Sequence, residues 1–169
     1  MSTEILRING GTKDVIELMK EYAAKSALTN SDVQTIATEL EKLPINEALE
    51  CLYQVVYNLY NFVPDSGNWQ TIRTSKAFLN DQIGNCVDAS VFISSILIYM
   101  DIPHSFRFFA QSLDSGYNHV FVVAQKDYIL DTILGKPGSG TETWFSPKKD
   151  GYFNEVIPEK FNQMDIQII

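Results

Sequence analysis

Apolar residues recur at helical spacing three times in the first third of the chain. Val15, Ile16, Leu18, Met19, Tyr22 and Ala23 predict a helix that Thr12 can cap. Val33, Ile36, Ala37 and Leu40 share one face of a second, with Ser31 and Gln34 as its capping box and a stop before Pro44. Leu49, Leu52, Val55, Val56 and Leu59 carry a third, from about Asn46 to Phe62, ended before Pro64. Ahead of these helices, Ile5-Leu6-Arg7-Ile8 reads as a short strand closed by Asn9-Gly10-Gly11. Pro64-Asp65-Ser66-Gly67 reads as a turn or linker leading into Trp69 to Arg73 and then Ala77-Phe78-Leu79.

A different pattern begins at Cys86. Apolar residues from Val87 to Met100 cover most of a helix's circumference, which predicts a buried central helix ended by Asp101-Ile102-Pro103. Three short runs rich in Phe, Val and Ile follow: His104 to Gln111, His119 to Ala124 or Gln125, and Tyr128 to Thr132. Polar turns separate them, as in an antiparallel sheet. From Gly135 on, Gly-Pro and Gly-Ser-Gly signal a loop, with Trp144-Phe145 and Ile166 to Ile169 able to dock back. The expected fold class is α+β, with N-terminal helices and a buried central helix packed on a small antiparallel sheet.

A chain of 169 residues suits one domain with its own core. Residues 1–66 are its expected helical part, 67–135 the core that carries the chemistry, and 136–169 a loop and tail. The net charge of −8 argues against a nucleic-acid partner, because such binding draws on clustered Lys and Arg. With 2 cysteines and 2 histidines, neither a disulfide framework nor a Cys/His zinc site is expected. The N-terminus has no basic lead or apolar signal core, and no apolar run reaches the length of a membrane span. These features point to a cytoplasmic location, with reduced thiols and no membrane partner.

Candidate chemistry centres on Cys86, which follows Gly84-Asn85 at the start of the buried helix. The thiolate is the reactive form of cysteine, and a helix N-terminus favours an anion through its unpaired N–H groups and dipole. Cys51 sits inside the third helix with no His nearby and reads as an inert packed thiol. Geometry chooses between the histidines. A helix of about 14 residues rises roughly 21 Å, which puts His104 at the far end from Cys86. A strand that then runs back along the helix returns the chain to the level of Cys86, where His119 emerges.

Asp131 shares a face with His119 only if the hairpin between the last two strands has an odd loop, such as Gln125-Lys126-Asp127. That register pairs Phe121 with Asp131 and sets His119 diagonally beside it. Cys86, His119 and Asp131 then form a candidate nucleophile, base and orienting carboxylate. The Cys86 N–H is a candidate for half of an oxyanion hole. Gln70, Trp69 and Gln82 are candidates for its side-chain donor, with Gln70 preferred. Gly84 is expected to let the backbone approach a substrate closely, and Asn85 reads as a turn residue. Asp88 is placed to stabilise the helix dipole, although its charge would oppose a thiolate.

Gly84-Asn85-Cys86-Val87-Asp88, His119-Val120-Phe121-Val122 and Leu130-Asp131-Thr132 together resemble the transglutaminase-like superfamily of papain-type cysteine enzymes. Upstream, Ile8 to Thr12, the helices and Gln70 to Thr74 extend the likeness to small stand-alone members often encoded in phage genomes. The resemblance spans roughly residues 5 to 135. It implies a papain/transglutaminase-like core with Cys86 as nucleophile, His119 as base and Asp131 as orienting acid. It also implies a cysteine-dependent acyl transfer through a thioester, as a peptidase, amidase or transglutaminase, on a protein or peptide substrate and without cofactor or metal. A phage-encoded chain would act in the host cytoplasm or the virion. The alternative is a catalytically silent structural or peptide-binding module, for example in phage assembly. The chain departs from the family pattern at Asn85, where an acid is usual, at Ala89, where a second acid is usual, and at Thr132 in place of Pro.

Overall fold

The apolar faces read from the sequence form the helices that the structure contains. A computed structural model describes residues 4–67, 69–110, 117, 119–125, 128–133 and 162–169. Strand β1 (Ile5–Ile8) leads into helices α1 (Thr12–Thr29), α2 (Ser31–Leu40) and α3 (Ile45–Leu59). Then come β2 (Asn61–Phe62), β3 (Gln70–Arg73), α4 (Ser75–Asp81), β4 (Ile83–Gly84) and the central helix α5 (Cys86–Tyr99). Strands β5 (His104–Ala110), β6 (His119–Ala124), β7 (Tyr128–Leu130) and β8 (Asn162–Gln167) complete the described elements. The fold class is the expected α+β.

Helix α5 lies between two layers. Helices α1, α2, α3 and α4 pack against it, and so do β5 and β6 of a four-stranded antiparallel sheet ordered β7-β6-β5-β8. Val91, Phe92, Ile96 and Leu97 of α5 have no solvent exposure. Burying side chains of this size contributes about 1.5–3 kcal/mol each, so this helix organises the core. Its serines are buried with their hydroxyls satisfied: Ser90 donates to the Val120 carbonyl at 3.3 Å and Ser95 to the Phe92 carbonyl at 2.6 Å. The apolar wrap loosens in the last turn, where Tyr99 is exposed, contrary to the run read from the sequence. Asp101 ends the helix in the left-handed region at φ 55, and the Ile102 N–H bonds back to the Leu97 carbonyl.

Three helix ends depart from the expected pattern for local reasons. Gly11, not Thr12, is the N-cap of α1, because Thr12 already lies in the helix. Asn30, not Ser31, caps α2, its side chain accepting from the Asp32 and Val33 N–H groups. Gln34 is therefore free to donate to the Ala27 and Leu28 carbonyls instead of closing a box with Ser31. Helix α3 stops at Leu59 rather than Phe62. There the Asn61 and Val63 N–H groups bond to the Gln82 and Gly84 carbonyls, each at 2.9 Å, and β2 runs parallel to β4.

The C-terminal residues do return to the body of the fold, as an edge strand. Strand β8 pairs with β5 from Ser105↔Gln167 to Ala110↔Asn162. The turn expected at 114–116, and the loop expected from Gly135 with Trp144-Phe145, lie outside the described residues. Near the front of the molecule β1 pairs antiparallel with β3, and the β2–β4 pairing sets the loop after Phe62 beside the start of α5.

Candidate active site

Helix α5 begins at Cys86 because Asn85 stops the chain from being helical any earlier. The Asn85 side-chain oxygen accepts from the Val87 and Asp88 N–H groups, at 3.0 and 3.2 Å, and the Asp88 carboxylate accepts from the Asn85 N–H at 3.0 Å. This is a complete capping box. The Ala89 N–H goes to the Asn85 carbonyl. The Cys86 N–H is thus the member of the first turn with no acceptor among the described residues, and it lies beside its own sulfur.

Asn85 is more than a turn residue. Its amide Nδ2 donates to Asp65 Oδ2 at 2.9 Å and to the Thr71 carbonyl at 3.2 Å. An aspartate at this position could make neither bond and would set a second carboxylate against Asp65. Asp88 is fully buried and accepts from both the backbone N–H and Nη1 of Arg73, each at 2.7 Å. Burial pushes its carboxyl up, while the Arg73 and Asn85 donors act in the other direction. Its charge is thereby committed to Arg73, which relieves the opposition to Cys86 expected from its sequence position.

The hairpin register is the odd-loop one. Val122↔Leu130, Val123↔Ile129 and Ala124↔Tyr128 are paired, so one step further on Phe121 stands level with Asp131. His119 Nε2 lies 2.8 Å from Asp131 Oδ2, and Asp131 Oδ1 accepts the Ile133 N–H at 3.1 Å. Cys86 lines the same cavity as this imidazole, and with Nε2 engaged by Asp131, Nδ1 is the ring nitrogen left for a thiol. Burial alone would push the imidazole down. The adjacent Asp131 carboxylate, with help from Cys86, outweighs that and raises it to about 10. Thr132 shares a hydrogen bond of 3.1 Å with the Tyr60 hydroxyl.

His104 is structural. It is fully buried, with Nδ1 2.8 Å from the Ile102 carbonyl and Nε2 2.7 Å from Ser94 Oγ. A carbonyl only accepts, so Nδ1 carries the proton and the neutral ring accepts from Ser94. Burial pushes its titration down, against the Ile102 bond.

Cys86 and His119 open onto a cavity of about 300 Å³ whose walls include Asp65, Trp69, Gln70 and Tyr117. Trp69 is half-exposed at its edge. Gln70 also lines it, but its Nε2 donates to Asp65 Oδ2 at 2.7 Å and to the Thr71 carbonyl at 3.0 Å, so both amide hydrogens are in use. Gln82 is the C-cap of α4 and does not line the cavity. Gly84 does not approach the cavity either. A Cβ there would meet the Phe78 ring at 2.7 Å, so the glycine is needed for core packing and not for contact with a substrate. Among the described residues no group of three or more His, Cys, Asp or Glu side chains gathers to hold a metal.

Sequence reasoning missed Asp65, which it read as part of a turn. Its Oδ2 accepts from Gln70 Nε2, the Thr71 N–H at 3.1 Å and Asn85 Nδ2. No local motif marks it, because its partners arrive from β3 and from the cap of α5 up to 20 residues away. No helix among the described residues is long and apolar enough to cross a membrane.

No family model and no curated protein matches the chain. Three solved structures show some likeness. A candidate protease from Parabacteroides distasonis ATCC 8503 is 15% identical, with a TM-score of 0.48 over 63% of this chain and 24% of its own. Calcium-bound LapG of Legionella pneumophila is 15% identical, with a TM-score of 0.48 over 93% of this chain and 84% of its own. A candidate cysteine protease from Cytophaga hutchinsonii is 16% identical, with a TM-score of 0.49 over 91% of this chain and 55% of its own. The chain thus spans about a quarter of the first protein and just over half of the third. All three scores fall below 0.5, and the α+β assignment stands on the chain's own elements.

Proposed function

We propose that this chain is a cysteine-dependent acyl-transfer enzyme acting on peptide or amide substrates. The observation that carries the proposal is a carboxylate-paired imidazole and a helix-start thiol in the lining of one cavity: His119 Nε2 on Asp131 at 2.8 Å, with Cys86 beside it in the same wall. Cys86 Sγ attacks the carbonyl carbon, the carbonyl oxygen takes up the negative charge, and the Cys86 N–H supplies one donor to it. Trp69, at the cavity edge, and Gln70, if substrate displaces one of its present bonds, are the candidate second donors. The proton held on His119 goes to the leaving amine as the C–N bond breaks, leaving a thioester on Cys86. Water, or an amine in a transamidation, then loses its proton to His119 and releases the acyl group. Asp131 fixes the ring and favours its protonated form throughout. The steps use no cofactor.

The sequence resemblance to the transglutaminase-like superfamily, and to its small phage-encoded members, agrees with this reading over roughly residues 5 to 135. We read residues 1–169 as one functional unit. A second reading is favoured by one observation, that both amide hydrogens of Gln70 are already bonded: the groove holds a peptide without turning it over. Iodoacetamide labelling followed against pH separates the two. An enzyme of this kind labels at Cys86 faster than at Cys51 near neutral pH, and His119→Ala removes the difference. Equal rates with no effect of His119→Ala would overturn the enzymatic reading, and peptide affinity that survives Cys86→Ser would then support the binding module. Mass spectrometry of the adduct left by an acylating probe tests the thioester directly.

A further inference from the structure

The cavity beside Cys86 has an uneven distribution of charge. Among the described residues that line it there is one carboxylate, Asp65, and no Lys or Arg. Lys13 and Lys20 line a neighbouring cavity that shares Thr12 and Tyr117 with this one, with Glu17 between them on α1, and Arg73 is committed to Asp88. His119 is the one cationic group in the lining, and its charge is paired with Asp131.

Asp65 is held by one of its two oxygens. Oδ2 takes the Gln70, Thr71 and Asn85 donors, whereas Oδ1 has no hydrogen-bond partner among the described residues. Three N–H donors on one oxygen fix the carboxylate in place, so its second oxygen is presented without further ordering of the side chain. The link to Asn85 Nδ2 at 2.9 Å sets it one residue away from the proposed nucleophile. A half-buried, preordered carboxylate in a groove whose described lining has no Lys or Arg, and whose imidazole is paired with Asp131, is suited to bind a positive charge on the substrate. The chain's net charge of −8 attracts the same class of molecule at longer range.

We propose that Asp65 Oδ1 is the specificity determinant of this groove and selects peptide substrates carrying a Lys or Arg side chain next to the bond that reacts. The proposal takes from the acyl-transfer reading the position of Cys86, but the binding preference can be measured without turnover.

The test uses three methanethiosulfonate reagents of different charge: trimethylammonium-ethyl, methyl and sulfonatoethyl. Each forms a mixed disulfide with a thiol and releases methanesulfinate, and mass spectrometry reads Cys86 and Cys51 separately. Rates are normalised to those of a small free thiol. The expected cation-to-neutral ratio at Cys86 is well above one in the wild type and falls about tenfold in Asp65→Asn, which retains an oxygen for the three donors, while Asp65→Glu keeps the preference. The ratio at Cys51 does not change in either variant. The wild-type ratio also falls toward one between about 0.01 and 1 M salt, as the screening length drops from about 30 to 3 Å. An unchanged ratio in Asp65→Asn overturns the proposal. A salt-independent wild-type ratio does the same, even if the variant does not fold.

Matched peptide amides carrying Lys, acetyl-Lys or Glu beside the scissile bond then separate the two levels of the argument. Turnover with KM raised severalfold by acetylation supports both. No turnover of any peptide, with the labelling ratio intact, removes the enzymatic reading and leaves the cation site standing. Turnover indifferent to acetylation overturns the site and leaves the enzyme.

Discussion

Asp131→Asn removes the charge that keeps His119 protonated while leaving an oxygen at the same place to accept from Nε2. At 2.8 Å the ion pair is worth about 6 kcal/mol at an effective dielectric of 20, equivalent to about 4 pH units. Burial of the imidazole takes back part of that, and the balance leaves the ring raised to about 10. Without the charge, burial is the larger influence on the ring, so His119 in the variant should titrate below the ordinary 6.5. The assay is the pH dependence of the imidazole Cε1–H resonances. With 2 histidines in the chain, and His104 buried and pushed down, the two titrations separate in the wild type, and the one that moves between wild type and Asp131→Asn is that of His119. A wild-type His119 that titrates near 6.5, or one that Asp131→Asn leaves unmoved, refutes the ion-pair account. It would also remove the proton source that the proposed reaction assigns to the leaving amine.

The same shift has a consequence for folding. The folded imidazole holds its proton more tightly than the unfolded one at about 6.5, so its contribution is full below that pH and is lost as the pH rises to about 10. The stability difference between wild type and Asp131→Asn, from urea unfolding, should therefore shrink over that window by about 1 kcal/mol per pH unit; a difference that grows would refute the sign. His104 acts oppositely, since its lowered titration gives stability above about 6.5 that is lost on acidification, and Ser94→Ala should cost about 1–3 kcal/mol at neutral pH by leaving its Nε2 unpaired. Gly84→Ala should cost about 1–3 kcal/mol, measured by denaturant midpoint, because the new Cβ has to displace the fully buried Phe78 ring. Asn85→Asp should destabilise by about 2–4 kcal/mol through two lost bonds and carboxylate repulsion, and Asp65→Asn should recover part of that in a double-mutant cycle; strict additivity would show that the two side chains do not interact.

Much of the fold was readable because it is written in periodicity. The α1, α2, α3 and α5 faces, and the β5, β6 and β7 runs, follow from local spacing of apolar residues, which survives whatever the rest of the chain does. Helix ends were less readable. A cap depends on which neighbouring side chain reaches an N–H first, and at α2 Asn30 reaches it before Ser31. The placement of His104 at the far end of α5 from Cys86, and of His119 in one cavity lining with it, was also available from the sequence, because helix rise and strand rise fix how far the chain travels between them. The condition on Asp131 could be stated from alternation alone, and the paired register of β6 and β7 meets it.

What the sequence could not contain is the set of contacts made between distant segments. Gly84 was read as facing a substrate, but its neighbour is Phe78, and only the packed core decides that. Gln70 carries the right chemistry for an oxyanion donor, and only its two bonds to Asp65 and Thr71 reveal that its hydrogens are in use. Asp65 itself looked like one more turn residue. Its role at the groove appears when β3 and the cap of α5 bring three donors to a single oxygen. Local pattern determined the elements and the order of the candidate side chains. Tertiary structure decided which of their polar atoms are satisfied and which remain open, because hydrogen-bond partners are chosen by distance in space and not by distance along the chain.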